Sequence, residues 1–205
     1  MIALRRMPRT RDVALCTLLM ALFSLLGCTK PVLDPNPVVP TKNSLPYTAH
    51  VELTEAASYF VEPGATMLTD PNLQNHVVGK EPGTIGAKTE WERAIRDYVA
   101  GRRTFAPVLL QGTIPDLAVA VRLLIYIDPS VGFKFSHIYV AKSDATIRDA
   151  RTGRVISTYS GFGKAAGDVS RGGREDDEDP VNRAVHISLN DLFGKLEIDP
   201  QLRRS

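Results

Sequence analysis

Few patterns in this sequence cross-link a chain, span a bilayer or catalyse a reaction, and each shortage excludes something. Cysteine occurs twice, at Cys16 and Cys28, so no disulfide framework holds the fold and any domain must stand on its apolar core. The longest apolar stretch, Val13–Leu26, has 14 residues, short of the ~20 that a membrane-spanning helix requires. Charge of one sign is missing too. The formal net charge is +2, but Arg5, Arg6, Arg9 and Arg11 against Asp12 place +3 within residues 1–27, which leaves −1 for residues 28–205. A nucleic-acid partner therefore has no compositional support. Histidines 50, 76, 137 and 186 fall in separate segments, and neither H-E-x-x-H nor C-x-x-C occurs, which argues against a zinc site or any other metal site. G-x-S-x-G is absent. Gly161-Phe-Gly-Lys-Ala-Ala-Gly167 matches neither G-x-G-x-x-G nor G-x-x-x-x-G-K-[ST] and reads as a flexible continuation of a hairpin. No catalytic residue and no cofactor is assigned.

What is present begins with the N-terminus. A basic segment at residues 5–11 precedes the apolar stretch, which has signal-peptide length; a start at Met7 leaves that architecture intact. The stretch ends in Leu25-Leu26-Gly27-Cys28, which resembles the lipobox of bacterial lipoproteins. The resemblance implies that Cys28 receives a diacylglycerol and that cleavage falls between Gly27 and Cys28. A thiolate is the nucleophile such a thioether needs, and a small Gly27 lets a peptidase approach the backbone. The bland alternative is an ordinary signal cut further on. Thr29 and Lys30 in place of an aspartate imply sorting to the outer membrane, with the body facing the periplasm. Two or three acyl chains, at about 0.8 kcal/mol per buried CH₂, anchor far more firmly than one.

Residues 28–46 carry prolines at 31, 35, 37, 40 and 46 and read as a stiff tether that could hold a body as far as about 55 Å from the bilayer. The globular part is expected over residues 47–205. Composition is average, with 43% hydrophobic and 23% charged residues, and suits one domain. His50–Val61 reads as a strand followed by a short helix. Residues 64–87 read mostly as loop, with a short strand at His76–Val78. Thr89-Glu-Trp-Glu92 has the form of a capping box ahead of an amphipathic helix to about Arg103, with Trp91, Ala94, Ile95, Tyr98 and Val99 on its apolar face. Leu117–Ile127 is apolar on both alternating faces except at Arg122, as in a central strand. Phe133–Lys142 forms another strand. Asp149-Ala-Arg-Thr-Gly153 is a hairpin turn between Thr146–Asp149 and Arg154–Ser160. A second amphipathic helix after Pro180 lines up Val181, Val185, Leu189, Leu192 and Leu196. These elements predict a single α+β domain, an antiparallel-rich sheet of four or five strands with two helices packed on it.

Arg174-Glu175-Asp176-Asp177-Glu178-Asp179 is the sharpest charge feature. Calcium-loop spacing is absent, so the run reads as a solvated loop that complements a helix N-terminus, with partner docking as the functional alternative. Ala145–Ile156, a strand and D-x-x-T-G turn behind a lipobox, resembles the small α/β domains of Gram-negative envelope lipoproteins, CsgG-like and penicillin-binding-protein-activator-like among them. The likeness extends over residues 88–196 and brings no catalytic residues with it. The anchor, the tether and the failure of every catalytic template point to a non-enzymatic accessory or binding module whose partner is an envelope protein or a cell-wall component. An envelope enzyme acting on cell wall or lipid, with His137 or the acids at 175–179 in its site, is the competing class. A secretion-pore subunit ranks below both.

Overall fold

The computed structural model describes residues 38–83, 88–107, 114–129, 137–167 and 179–203. The chain divides into two compact units, Met1–Lys30 and Pro31–Ser205, and every described residue belongs to the second. The expected lipobox, Leu25 to Cys28, and the charged run from Arg174 to Glu178 lie outside the described residues.

The second unit is one α+β domain built on a mixed six-stranded sheet. Strands β1 (Leu45–Val61), β2 (Val77–Gly83), β3 (Phe105–Ala106), β4 (Leu117–Asp128), β5 (His137–Asp149) and β6 (Val155–Gly167) take the order β2-β1-β4-β5-β6, with β3 paired to the start of β1. The β1–β4 and β1–β3 pairs are parallel and the other three antiparallel. Helix α1 (Asp70–Leu73) sits between 3₁₀ turns at Ala65–Met67 and Gln74–His76; α2 spans Lys88–Arg102, α3 Pro180–Ile198 and α4 Pro200–Arg203. The long helices α2 and α3 cover one sheet face, and the short segment 65–76 covers one end of the other.

Segment 65–76, expected as loop, forms short helical turns, and β2 is longer than the strand expected at His76–Val78; four further details differ from the sequence reading, each for a local reason. His50–Val61 contains no helix: β1 is a single strand of 17 residues with a bulge between Leu53 and Glu55. The extra residue, Thr54, donates its hydroxyl to Val121 O at 2.9 Å. It also flips the alternation, so Val51 and Leu53 join the main core while Ala57 and Val61 join a smaller one on the opposite face. That phase change imitates a switch to helical period. Thr89 lies inside α2 rather than at its N-cap. Of the two expected pieces at Phe133–Lys142 and Thr146–Asp149, the described part of the first, from His137, and the whole of the second form one continuous strand, β5; residues 133–136 lie outside the described residues.

The fourth difference is Gly161–Gly167, which is not a flexible extension but the second half of β6, paired with β5. Its glycines permit contact. A Cβ at Gly163 would run into Ala184 O and lie 2.6 Å from Ser188 N; one at Gly161 would run into Ser188 O and lie 2.6 Å from Leu192 N. Backbone of β6 thus touches backbone of α3, a distance only glycine allows. The helix also closes the outer edge of the sheet. Lys195 donates to Ser160 O, Ser188 to Gly161 O and Arg183 to Ala166 O, while Asp191 accepts from Phe162 N. An open edge is a template for unwanted strand pairing, and here side chains occupy its hydrogen-bonding groups.

The expected apolar faces are in place. Trp91, Ala94, Ile95, Tyr98 and Val99 of α2 are buried, as are Val181, Val185, Leu189, Leu192, Phe193 and Leu196 of α3. Each fully buried large side chain contributes roughly 1.5–3 kcal/mol relative to exposure. Residues 38–46, the end of the expected tether, are sewn to the body. Val38 packs on the core, Thr41 donates its backbone N–H to Arg102 O at 2.7 Å, and Leu45 is buried in β1. At the same place Glu197, 2% exposed, accepts from Arg102 Nε at 2.7 Å, Arg102 Nη2 at 2.9 Å, and the hydroxyls of Thr104 and Thr41 at 2.8 Å each. One carboxylate therefore joins the chain's entry point to both long helices.

Candidate functional site

The face of the sheet that α2 and α3 leave uncovered carries a row of charges. Arg122 projects from β4 and, on the adjacent β5, Asp144 receives its Nη2 at 2.7 Å and its Nε at 3.2 Å. Ser160 of β6 donates to the other Asp144 oxygen at 2.6 Å. Two residues along β5, on the same face by strand alternation, Lys142 lies 3.7 Å from Asp144 and 2.9 Å from Asp70 of α1. The Lys142 and Asp70 side chains are only 15% and 10% exposed. Burial works against the Lys142 ammonium, but its bond to Asp70 and the charges of Asp144 and Asp70 outweigh that and hold its pKa above the ordinary lysine value. Bonding to Asp144 likewise raises Arg122. A lysine held protonated in this way is neither a general base nor a nucleophile at neutral pH.

The segment 64–76 reaches over this row because Asp128, fully buried at the end of β4, holds its first turn. Asp128 Oδ2 accepts from Gly64 N at 2.9 Å and from the Thr66 hydroxyl at 2.8 Å. Gly64, at φ 86°, takes a left-handed conformation suited to glycine. Lys164 of β6 donates to Thr66 O at 3.1 Å from the other side. Three buried polar atoms under the segment, Asp70 Oδ1, Tyr126 OH and Asp128 Oδ1, lack a hydrogen-bond partner among the described residues. Burial pushes the Tyr126 hydroxyl above its ordinary range. Buried polar atoms are normally paired, so this junction is held less completely than the rest of the fold.

Between the segment and β6 opens a cleft of 660 Å³, with Leu68, Leu73, Val140 and Phe162 as its apolar surface and Asp70 and Lys164 as its charged groups. Two of its lining residues are exposed, Leu68 at 43% and Phe162 at 37%, and Met67, next to Leu68 in the chain, is 81% accessible. Volume, apolar lining and a few fixed polar groups are those of a binding cleft. Protruding apolar side chains at the mouth are what interaction sites carry. A larger groove of 890 Å³ runs between β1, β3 and the end of α2, lined by Arg96, which is committed to Val51 O and Glu92, and by the exposed Arg103, but it has no counterpart to the buried Lys142–Asp70 pair. The cleft beneath 64–76 is the better candidate.

Of the residues singled out from the sequence, Asp179 is described. It caps α3 by accepting from Val181 N at 2.7 Å, with Pro180 following at the first helical position. The histidines stay apart: His76 meets Glu62 at 2.9 Å, His137 stacks on Tyr139 and His186 sits edge-on to Tyr98. Among the described residues, no group of three or more His, Cys, Asp or Glu could hold a metal ion, and no helix is long and apolar enough to cross a membrane. The D-x-x-T-G turn forms as expected, Asp149 Oδ1 accepting from Arg151 N, Thr152 N and the Thr152 hydroxyl, with Gly153 at φ 71°. The Thr152 backbone N–H, then its hydroxyl, hold the Asp149 carboxyl below its usual range. Sequence reading passed over Asp70, Lys142, Asp144, Phe162 and Lys164. The available signal was Arg122, a lone charge in an apolar strand, which demands a partner on the neighbouring strand.

No family model matches the chain, and no curated protein does. Among solved structures it is similar to protein XCC0632 from Xanthomonas campestris, described under family model DUF330, at 12% identity over 78% of this chain and 88% of that one, with a TM-score of 0.38. It is also similar to the hypothetical protein CT253 from Chlamydia trachomatis, at 10% identity over 76% of this chain and 99% of that one, with a TM-score of 0.34. Neither likeness adds support to the CsgG-like or activator-like resemblance.

Proposed function

We propose that this chain is a lipid-anchored envelope lipoprotein whose periplasm-facing body acts as a non-enzymatic accessory or binding module at the outer membrane. The observation that carries the reading is Leu25-Leu26-Gly27-Cys28 at the end of a 14-residue apolar stretch behind four arginines; charge, length and cysteine position agree with one processing route. The body supports a binding role through the cleft beneath 64–76, where apolar side chains are exposed and the buried lysine is kept protonated. Its partner is an envelope protein or a cell-wall component that offers an apolar segment to Leu68 and Phe162.

Intact-mass analysis of the native product tests the anchor: a chain beginning at Cys28 with acyl chains attached is expected, and an unmodified chain beginning elsewhere overturns it. A photo-crosslinking residue at Met67 in intact cells tests the module. One envelope component should be trapped, and Phe162→Asp should abolish the trapping while the domain stays folded. Undiminished trapping in that variant, or turnover of a cell-wall or lipid substrate by the purified body, refutes the reading.

A further inference from the structure

One end of the domain carries a basic and apolar surface that neither the cleft nor the fold explains. Strand register defines that end: Ala49 pairs with Leu117, Leu117 with Asp149, and Arg148 with Val155, so the starts of β1, β4 and β6 and the end of β5 lie together. The last turns of α2 and α3 join them, because Arg102 meets Glu197, and Arg203 of α4 donates to Asn43 O at 3.1 Å. A cleft of 650 Å³ there is lined by Ile114, Arg151, Arg154, Gln201 and Leu202 among others.

The exposed bases at this end are Lys42, Arg103, Arg148, Arg151, Arg154 and Arg203. Its acids, Asp116, Asp149 and Asp199, stay charged but number half the bases, and each is held within the fold by neutral donors. Asp149 is held by its own turn, Asp116 accepts from the N–H and hydroxyl of Thr48, and Asp199 accepts from Tyr159 and Gln201. Among the bases, the side chains of Lys42, Arg103 and Arg154 make no hydrogen bond or ion pair with the described residues; Arg103 and Arg154 bond to Ser44 and Thr152 through their backbone alone. Interleaved with them are four apolar side chains in water, Val39 at 74%, Ile114 at 71%, Val155 at 44% and Ile198 at 63% exposure. The opposite end is marked by Asp179 at the start of α3, the last of the five acids at 175–179.

We infer that this end docks on the surface of an anionic phospholipid bilayer. Lysine and arginine side chains near such a surface gain from its negative potential, while protruding aliphatic side chains enter the headgroup boundary. The site of entry of the chain favours the same occupant. Val38, the first described residue, already packs on the core, and the ten residues 28–37 that precede it span about 31 Å at most in a polyproline conformation. The described chain begins at this basic end. The inference rests on the lipoprotein reading for its orientation, and its chemistry can be tested without the anchor.

The mature chain from residue 28 with Cys28→Ser, which carries no acyl group, is sedimented with vesicles. Equal parts phosphatidylglycerol and phosphatidylcholine form one set and phosphatidylcholine alone the other. Binding is expected to the anionic set only and to fall with added salt. R151E/R154E, in which both altered side chains are exposed, should weaken it by at least about tenfold with an unchanged melting temperature. A tryptophan introduced as Ile114→Trp should shift its emission to the blue on the same vesicles, against the buried Trp91. Absence of binding to either set, equal binding to both, or full binding by R151E/R154E overturns the inference. Should native material lack acyl chains while the anionic vesicles still bind, the anchor reading fails and this surface stands.

Discussion

Glu197→Ala should be among the most damaging single substitutions in the domain. The carboxylate is 2% exposed and takes four donors, two from Arg102 and one each from Thr41 and Thr104. Its removal leaves the Arg102 side chain, 12% exposed, as a buried cation with Asn190 Oδ1 as its remaining side-chain acceptor. Breaking a buried ion pair by deleting one member costs about 3–5 kcal/mol, since the survivor keeps its desolvation penalty. Set against a total stability of about 5–15 kcal/mol for a domain, that is a large fraction. With a urea dependence near 2 kcal/mol per molar, the unfolding midpoint should fall by about 2 M at pH 7. Thr41→Val, which removes one hydroxyl donor, should cost about 1 kcal/mol. Glu197→Leu with Arg102→Met, which removes both charges and keeps the volume, should recover most of the loss. Limited proteolysis gives an independent readout, because the chain at 41–44 should be cut faster in Glu197→Ala. A midpoint within about 0.5 M of the unmodified protein would refute the claim that this carboxylate ties the entry of the chain to both helices.

Gly163→Ala should force α3 away from β6, since the new Cβ meets Ala184 O and Ser188 N; a loss of about 3 kcal/mol by urea titration is expected, at the upper end for overpacking. Lys142→Met should cost a similar ~3 kcal/mol by leaving Asp70 and Asp144 without their shared cation, and should loosen segment 64–76 in hydrogen exchange before the rest of the domain. Tyr159 is pushed up to about 12 by burial and by its bond to Asp199. The folded state then holds a proton that the unfolded tyrosine releases near pH 10, so the contribution is complete below pH 10 and lost as pH rises toward 12. Tyr159→Phe should flatten that stretch of the stability curve, and an unaltered slope would show that the hydroxyl is not protected.

Local pattern determined a good deal of this protein. The apolar faces of α2 and α3 follow from 3.6-residue spacing, β4 from an apolar run bounded by turns, and the hairpin from Asp149 and Gly153, whose turn chemistry needs no distant partner. The proposed lipobox, Leu25 to Cys28, is likewise a reading of sequence alone, since a processing signal is a linear segment. Tertiary structure decided what depends on who lies opposite. Thr54 as a bulge, Gly161 and Gly163 as contact points for a helix, and Glu197 as a hub follow from neighbours 21 to 156 residues away in the chain. The row from Arg122 to Asp70 and the cleft beside it are likewise tertiary, assembled by register across three strands and a short helix. Periodicity records which face of an element is buried; it carries no record of the element that buries it.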